Sequence, residues 1–303
     1  MRPRWILAAA TAIGLSLVPL SGAIPAGAAA TPSITSVPVQ VVQTSDGAVS
    51  YRSDGSGPSL VLIMGLSGSQ DTWPPDLVNA LATRHRVITF DNAGIGQTAM
   101  PPGTLTITAM ADQTAAFITA LHLHHPAVLG WSMGGMIAQA LAVRHRGDVG
   151  RLVLSATFSG NGKATLPTAA SASALANAGG TDNGNATMAL LFPPDQLATQ
   201  GPAFIKALTA YPNLYLPSAT VDKAQLAAVT SWAIGSDRAG HGRIVARTLI
   251  GDGADDVLTP PANAQKMARA IPGARVVIYP DAGHGFLIQD ATAWAAEVNK
   301  FLG

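Results

Sequence analysis

From residue 39 onward the chain alternates between two hydrophobic rhythms. Residues 39–43 and 48–52 are short β-rich runs joined by the polar turn Ser45-Asp46-Gly47, which predicts paired strands. Leu60-Val61-Leu62-Ile63-Met64 is continuously apolar, as a strand buried on both faces of a parallel sheet must be. Arg86–Phe90, Ala127–Trp131 and Arg151–Ser155 repeat that run. Between them the period lengthens. Residues 75–83 set Leu77, Val78 and Leu81 on one side, residues 106–121 are amphipathic, and residues 134–145 form an apolar helical stretch. The alternation resumes late, with strands at 244–250 and Arg275–Tyr279 and helices at Ala262–Ala270 and 292–302. This order predicts an α/β fold, a mostly parallel central sheet covered by helices on both faces.

The rhythm fails between Phe158 and about residue 240. Residues 164–187 are rich in Ala, Ser, Asn and Gly, followed by short helical patterns near 203–210 and 225–234. A structureless loop of that length does not suit a compact domain. Residues 158–240 therefore read as an inserted helical lid, with 39–157 and 241–303 as the core. Residues 31–38, rich in Pro, Ser and Thr without periodicity, read as a linker.

Composition changes the picture at the N-terminus. The 303 residues are 48% hydrophobic with a mean hydropathy of +0.28, but 55 of them are alanine. A membrane-spanning helix needs roughly 20 consecutive apolar residues, and only residues 5–18 come near. Arg2 and Arg4 precede that stretch, and Ala26-Gly27-Ala28-Ala29-Ala30 follows it. A basic start, a short apolar centre and small residues at a cleavage site together read as an export signal over residues 1–30, cut after Ala28 or Ala30. A membrane anchor would need a longer apolar centre. The expected mature chain is extracytoplasmic, without a stable membrane span. It keeps 273 residues, with 16 basic against 17 acidic side chains and a net charge of −1. Such a balance offers no basic patch for nucleic acid. The absence of cysteine excludes disulfides, a thiol nucleophile and thiolate metal sites.

The chemistry centres on Gly130-Trp131-Ser132-Met133-Gly134-Gly135, directly after a buried strand and opening an apolar helix. G-x-S-x-G in that context sets the serine on a sharp strand-to-helix turn with its hydroxyl clear of the sheet. Gly130 and Gly134 remove side chains that would collide across the turn. The N–H of Met133, at the helix start, then points to where an oxyanion would form.

With this motif the chain resembles the α/β-hydrolase fold superfamily over nearly all of its mature length. Residues 62–68 (LIMGLSG) stand where that family places its oxyanion loop. Residues 90–97 (FDNAGIGQ) resemble its turn after the following strand, and residues 281–286 (DAGHGF) its histidine segment. Met64 departs from a common histidine and Ala93 from a common arginine. The resemblance implies His284 as the base, the N–H of Leu66 as second oxyanion donor, and an acid in the loop at residues 251–260 (GDGADDVLTP). The family spacing of glycine, two residues, acid, three residues, proline fits Gly253, Asp256 and Pro260, while Asp255 misses each by one. Asp256 is the expected acid and Asp255 the alternative. Asp91 and Asp112 read as structural. His122, His124 and His125, at a helix end without a neighbouring carboxylate, read as an exposed connection rather than a metal site.

The triad implies acyl transfer to water with no cofactor and no metal. Residues 158–235 carry six charged and six aromatic residues, so a lightly charged lid over Ser132 suits a small-molecule ester that is uncharged and hydrophobic. Trp131, Phe158, Trp232 and Phe286 are the expected pocket residues. The competing reading is that the aromatic rings form the lid's own core. Aminopeptidase action of the iminopeptidase type, cofactor-free perhydrolase or haloperoxidase chemistry, and a non-catalytic binding protein on the same fold remain as alternatives.

Overall fold

A computed structural model describes residues 33–177, 183–236 and 244–303, excepting the side chains of 183–185. The expected export signal at 1–30 lies outside the described residues, as do Asp182 and the lid boundary at 240–241.

Eight strands form one sheet: β1 (Gln40–Thr44), β2 (Gly47–Asp54), β3 (Ser59–Ile63), β4 (Arg86–Phe90), β5 (Ala127–Trp131), β6 (Arg151–Ser155), β7 (Arg247–Gly253) and β8 (Arg275–Tyr279). Their spatial order is β1-β2-β4-β3-β5-β6-β7-β8. The β1–β2 and β2–β4 pairs are antiparallel and every other pair is parallel. The fold is therefore α/β with a mostly parallel sheet, as the strand–helix alternation predicts.

Each central strand is apolar on both faces because it serves two cores. In β3, Val61 and Ile63 join Val128, Leu152 and Ile250 on one side, against Phe117 of α2 (Ile107–Ala120), Ile137 of α3 (Met133–Arg144) and Met267 of α8 (Ala262–Ala270). Leu60 and Leu62 point the other way with Leu129, Val153 and Leu249. They meet Leu77 and Leu81 of α1 (Pro75–Ala82), and Trp294 and Phe301 of α10 (Ala291–Leu302). A period-two strand between two helical layers needs that continuous apolar run.

Among the described residues, four helices stand between β6 and β7: α4 (Ala169–Asn177), α5 (Asn183–Leu191), α6 (Pro194–Leu208) and α7 (Ala219–Ala233). The Ala-rich α4 buries no residue. In contrast, α7 turns Val221, Gln225, Ala228 and Trp232 inward, a spacing of four, three and four that keeps one helical face against the core. Ser218 caps it, its Oγ accepting the Val221 N–H at 3.3 Å. The stretch expected as a linker is partly docked: Ile34 is fully buried, and its N–H donates to Asn79 Oδ1 at 2.9 Å. A single isoleucine among polar neighbours gives no periodicity, so its burial could not be read from the pattern.

Candidate active site

In open α/β sheets, ligands collect at the carboxyl ends of strands where the strand order reverses. Here the chain runs from β3 outward to β4, then returns to place β5 on the other side of β3. Ile63 and Gly130 are register partners at that switch point. The loop of residues 64–68 follows β3, Ser132 follows β5, and the loops after β7 and β8 open on the same edge.

Ser132 has φ 56° and ψ −120°, a strained conformation for a side chain with a Cβ, costing on the order of 1–3 kcal/mol. The surroundings hold it there. Its N–H donates to Ser155 O at 2.9 Å, and its carbonyl accepts from Gly135 N at 2.9 Å and Thr157 Oγ1 at 2.8 Å. A Cβ on Gly134 would overlap the Ile63 carbonyl, and one on Gly130 the Gly134 carbonyl. A Cβ on Gly135 would come within 2.7 Å of Thr157. The three glycines let α3 start hard against β3 and β5.

The histidine and the acid meet in the next loops. His284 Nδ1 lies 2.7 Å from Asp256 Oδ2, with both side chains buried. Asp256 Oδ1 accepts the N–H groups of Leu258 (2.7 Å) and Thr259 (2.8 Å), and Oδ2 accepts the Thr259 hydroxyl at 2.8 Å. Burial alone would raise this carboxyl. His284, by charge and hydrogen bond, together with the Thr259 donors, outweighs burial and brings it down to about 2. Asp255 is exposed, and its N–H is spent on Ala282 O at 2.9 Å. Thus the structure places Asp256, and not Asp255, against the imidazole. A second carboxyl, Asp252, is buried beside Asp256. Burial first, then the Asp256 charge, push it well above its ordinary range.

Gly65 brings the loop of residues 64–68 against the serine: a Cβ there would sit 3.2 Å from Ser132 Cβ and 3.8 Å from its Oγ. Among the described residues, neither the Leu66 N–H nor the Met133 N–H finds an acceptor. Two unclaimed donors flanking a serine are the arrangement an oxyanion requires. Ser132 Oγ itself makes no hydrogen bond among the described residues, a looseness common before substrate binds.

The four expected pocket residues turn out to be packing residues. Trp131 is buried behind the histidine, its ring centroid 5.8 Å from the imidazole and its Nε1–H donating to His284 O at 3.1 Å. Trp232 is fully buried and donates to Phe158 O at 3.1 Å, and a Cβ on Gly160 would enter its ring. Phe158 is buried with it. Phe286 stacks on Tyr279 and meets Trp294 edge-on, on the α10 side of the sheet. Phe158 and Trp232 pack into the core on the α2 and α3 side of the sheet, and Trp131 and Phe286 into the core on the α1 and α10 side, each ring burying roughly 150–250 Å². Asp91 accepts from Ser50 Oγ, Gln70 N and Gln70 Nε2 at 2.7–2.8 Å, and Asp112 pairs with Arg144 and His145. Both aspartates brace structure.

Three contributors were not foreseen. Thr259 supplies two donors to Asp256, and its signal was local: an aspartate whose side chain accepts N–H groups two and three residues on forms a turn. The insert supplies the others. Leu191 O accepts the Gly285 N–H at 2.8 Å, holding the histidine loop. Gln225 Oε1 accepts the Ser67 N–H at 3.1 Å, and nothing in the sequence joins positions 158 residues apart.

Comparison with known proteins agrees with this geometry. The family model described as alpha/beta hydrolase fold matches residues 58–291. The protein named non-heme bromoperoxidase BpoC of Mycobacterium tuberculosis is 33% identical over 252 residues, 78% of this chain and 90% of that one. The protein named carbamate hydrolase RutD of Caulobacter sp. is 29% identical over 250 residues, 80% of this chain and 90% of that one. The enol-lactonase from Burkholderia xenovorans superposes with a TM-score of 0.70 at 25% identity, covering 87% of this chain and 99% of that structure. By the strand order, the elbow and the family match, the chain belongs to the α/β-hydrolase fold family.

Proposed function

We propose that this protein is a serine hydrolase that cleaves carboxylic esters of uncharged small molecules through an acyl-enzyme. The observation that carries the reading is the buried His284–Asp256 hydrogen bond beside a strained serine flanked by two unclaimed N–H groups. Ser132 Oγ attacks the ester carbonyl while His284 Nε2 takes its proton. The carbonyl oxygen becomes an oxyanion held by the Leu66 and Met133 N–H groups. His284 returns the proton to the leaving alcohol, and the acyl group stays on Ser132. Water then repeats the sequence and releases the acid. Asp256 fixes the imidazole tautomer and opposes its transient positive charge.

Uncharged substrates fit the insert, since none of its described charged residues, Lys163, Asp195, Lys206, Asp222 and Lys223, is fully buried. The kinship with an enol-lactonase supports ester chemistry. The test is labelling of Ser132 by a fluorophosphonate, followed by turnover of nitrophenyl esters of rising acyl length beside aminoacyl-anilides. Anilide turnover with inert esters would replace the esterase reading with the aminopeptidase one.

The bromoperoxidase-named relative supports a second reading. Hydrogen peroxide in place of water would attack the same acyl-enzyme and release a peracid, with Ser132 restored. Acetate-dependent halogenation that disappears in Ser132→Ala would establish it. We further propose export, on the N-terminal pattern; recovery of the mature chain outside the cytoplasm with its N-terminus near residue 29 or 31 tests it.

A further inference from the structure

The insert touches the catalytic edge of the sheet at a place that bears on the oxyanion donors. Gln225 of α7 is fully buried, and its Oε1 accepts the N–H of Ser67, the residue after Leu66. Ser67 has φ +64°, a region that a non-glycine residue holds only when its surroundings impose it. At the other end of the loop, the Met64 carbonyl accepts from Asn92 Nδ2 at 2.8 Å. The loop is thus clamped on both sides of Leu66, from β4's following turn at Met64 and from the insert at Ser67. The Leu66 N–H lies between the clamps and has no acceptor among the described residues.

The other half of the carboxamide is equally informative. Gln225 Nε2 is buried and has no hydrogen-bond partner among the described residues. A buried donor left unmade destabilises the fold, so glutamine here does not serve packing. Because a backbone N–H requires an acceptor, the oxygen must face Ser67, and the orientation of the amide is determined.

We propose that Gln225 is a positioning residue for the oxyanion hole: by holding the Ser67 N–H it aims the Leu66 N–H, and so makes seating of the inserted helices a condition for catalysis. This rests on the serine-hydrolase reading above. The consequence is a loop whose donor direction depends on α7. When α7 lifts, Ser67 loses its acceptor, the left-handed turn relaxes and the Leu66 donor turns away.

Gln225→Met keeps the length and removes the acceptor, and Val221→Ala disturbs the same face of α7 where it packs near Gly94. For a nitrophenyl ester, Gln225→Met should lower kcat about tenfold or more, with KM changed less than about twofold. The inhibition constant of phenylboronic acid, whose serine adduct is tetrahedral and carries an oxyanion, should rise by the same factor as kcat falls. Val221→Ala should move KM more than kcat. Met removes an unpaired buried donor and also the acceptor of the Ser67 N–H, which water can replace because Ser67 is exposed; the melting temperature of Gln225→Met should therefore change little, and the Ser67 amide should exchange faster. Unchanged kcat and boronate affinity, or a KM effect like that of Val221→Ala, would overturn the inference while leaving the hydrolase reading intact. Failure of the wild type to react with a fluorophosphonate or to turn over esters would remove both, and unchanged exchange at Ser67 would remove the clamp by itself.

Discussion

His284 Nδ1 and Asp256 Oδ2 stand 2.7 Å apart with side chains 3% and 0% exposed. In so dry a setting the carboxylate is the imidazole's only anionic neighbour within hydrogen-bond reach among the described residues, and the Leu258 N–H and the Thr259 N–H and hydroxyl also donate to it. Replacing Asp256 by Asn leaves the shape but removes both the charge and the tautomer control. We expect Asp256→Asn to lower kcat on the order of 10³–10⁴-fold, with Asp255→Asn changing it less than about twofold. Steady-state kinetics on one ester decides, and a larger loss at Asp255 would reassign the acid.

Ser132→Ala and His284→Ala should each abolish ester turnover and fluorophosphonate labelling while the circular dichroism spectrum stays that of the wild type. Ser132→Ala, which keeps a Cβ at the strained φ, should change stability by no more than about 1 kcal/mol. Activity surviving in either variant would show that another nucleophile or base does the chemistry.

The two buried carboxyls give opposite pH dependences. Asp256 is lowered to about 2, so its interactions stabilise the fold above its ordinary value of 3.8 and are lost as pH falls from about 4 toward 2. That contribution is about 2 kcal/mol. The stability gap between wild type and Asp256→Asn, measured by urea unfolding, should therefore shrink over that range.

Asp252 is raised, because burial and the nearby Asp256 charge resist its ionisation. Its favourable contribution is complete below 3.8 and lost as pH rises through its folded-state value. Asp252→Asn cannot ionise, so it should gain on the wild type as pH rises from 4 to 8. A gain that shrinks with pH would contradict the protonated state of Asp252.

Gly65→Ala should separate catalysis from folding. The added methyl would press on Ser132 Cβ and Trp131 O at 3.2 Å, a distance the loop can relieve by moving a few tenths of an ångström. We expect a folded protein with kcat/KM reduced about 100-fold, because small displacements of reacting groups are costly. Gly134→Ala meets the Ile63 carbonyl inside a rigid strand and should instead fail to give folded protein. Equal activity of Gly65→Ala and wild type would show that the loop of residues 64–68 does not approach the reacting atoms.

The sequence by itself determined the sheet, its order of strands and helices along the chain, and the elbow that carries Ser132. Those features are local: a strand buried on two faces needs a continuous apolar run, and a sharp elbow needs Gly130 and Gly134. It also narrowed the candidate acid to two neighbours, and tertiary structure sets them apart, because only packing buries Asp256 against His284 while Asp255 faces water. Phe158, Trp232 and Phe286 looked like pocket walls, since aromatic side chains serve cores and ligand sites alike and composition cannot tell which neighbour a ring meets. Gln225 and Leu191 reached the site only through the fold. Their contacts join the insert to loops far away in the chain, and such contacts are created by chain path and burial rather than by any pattern of residues.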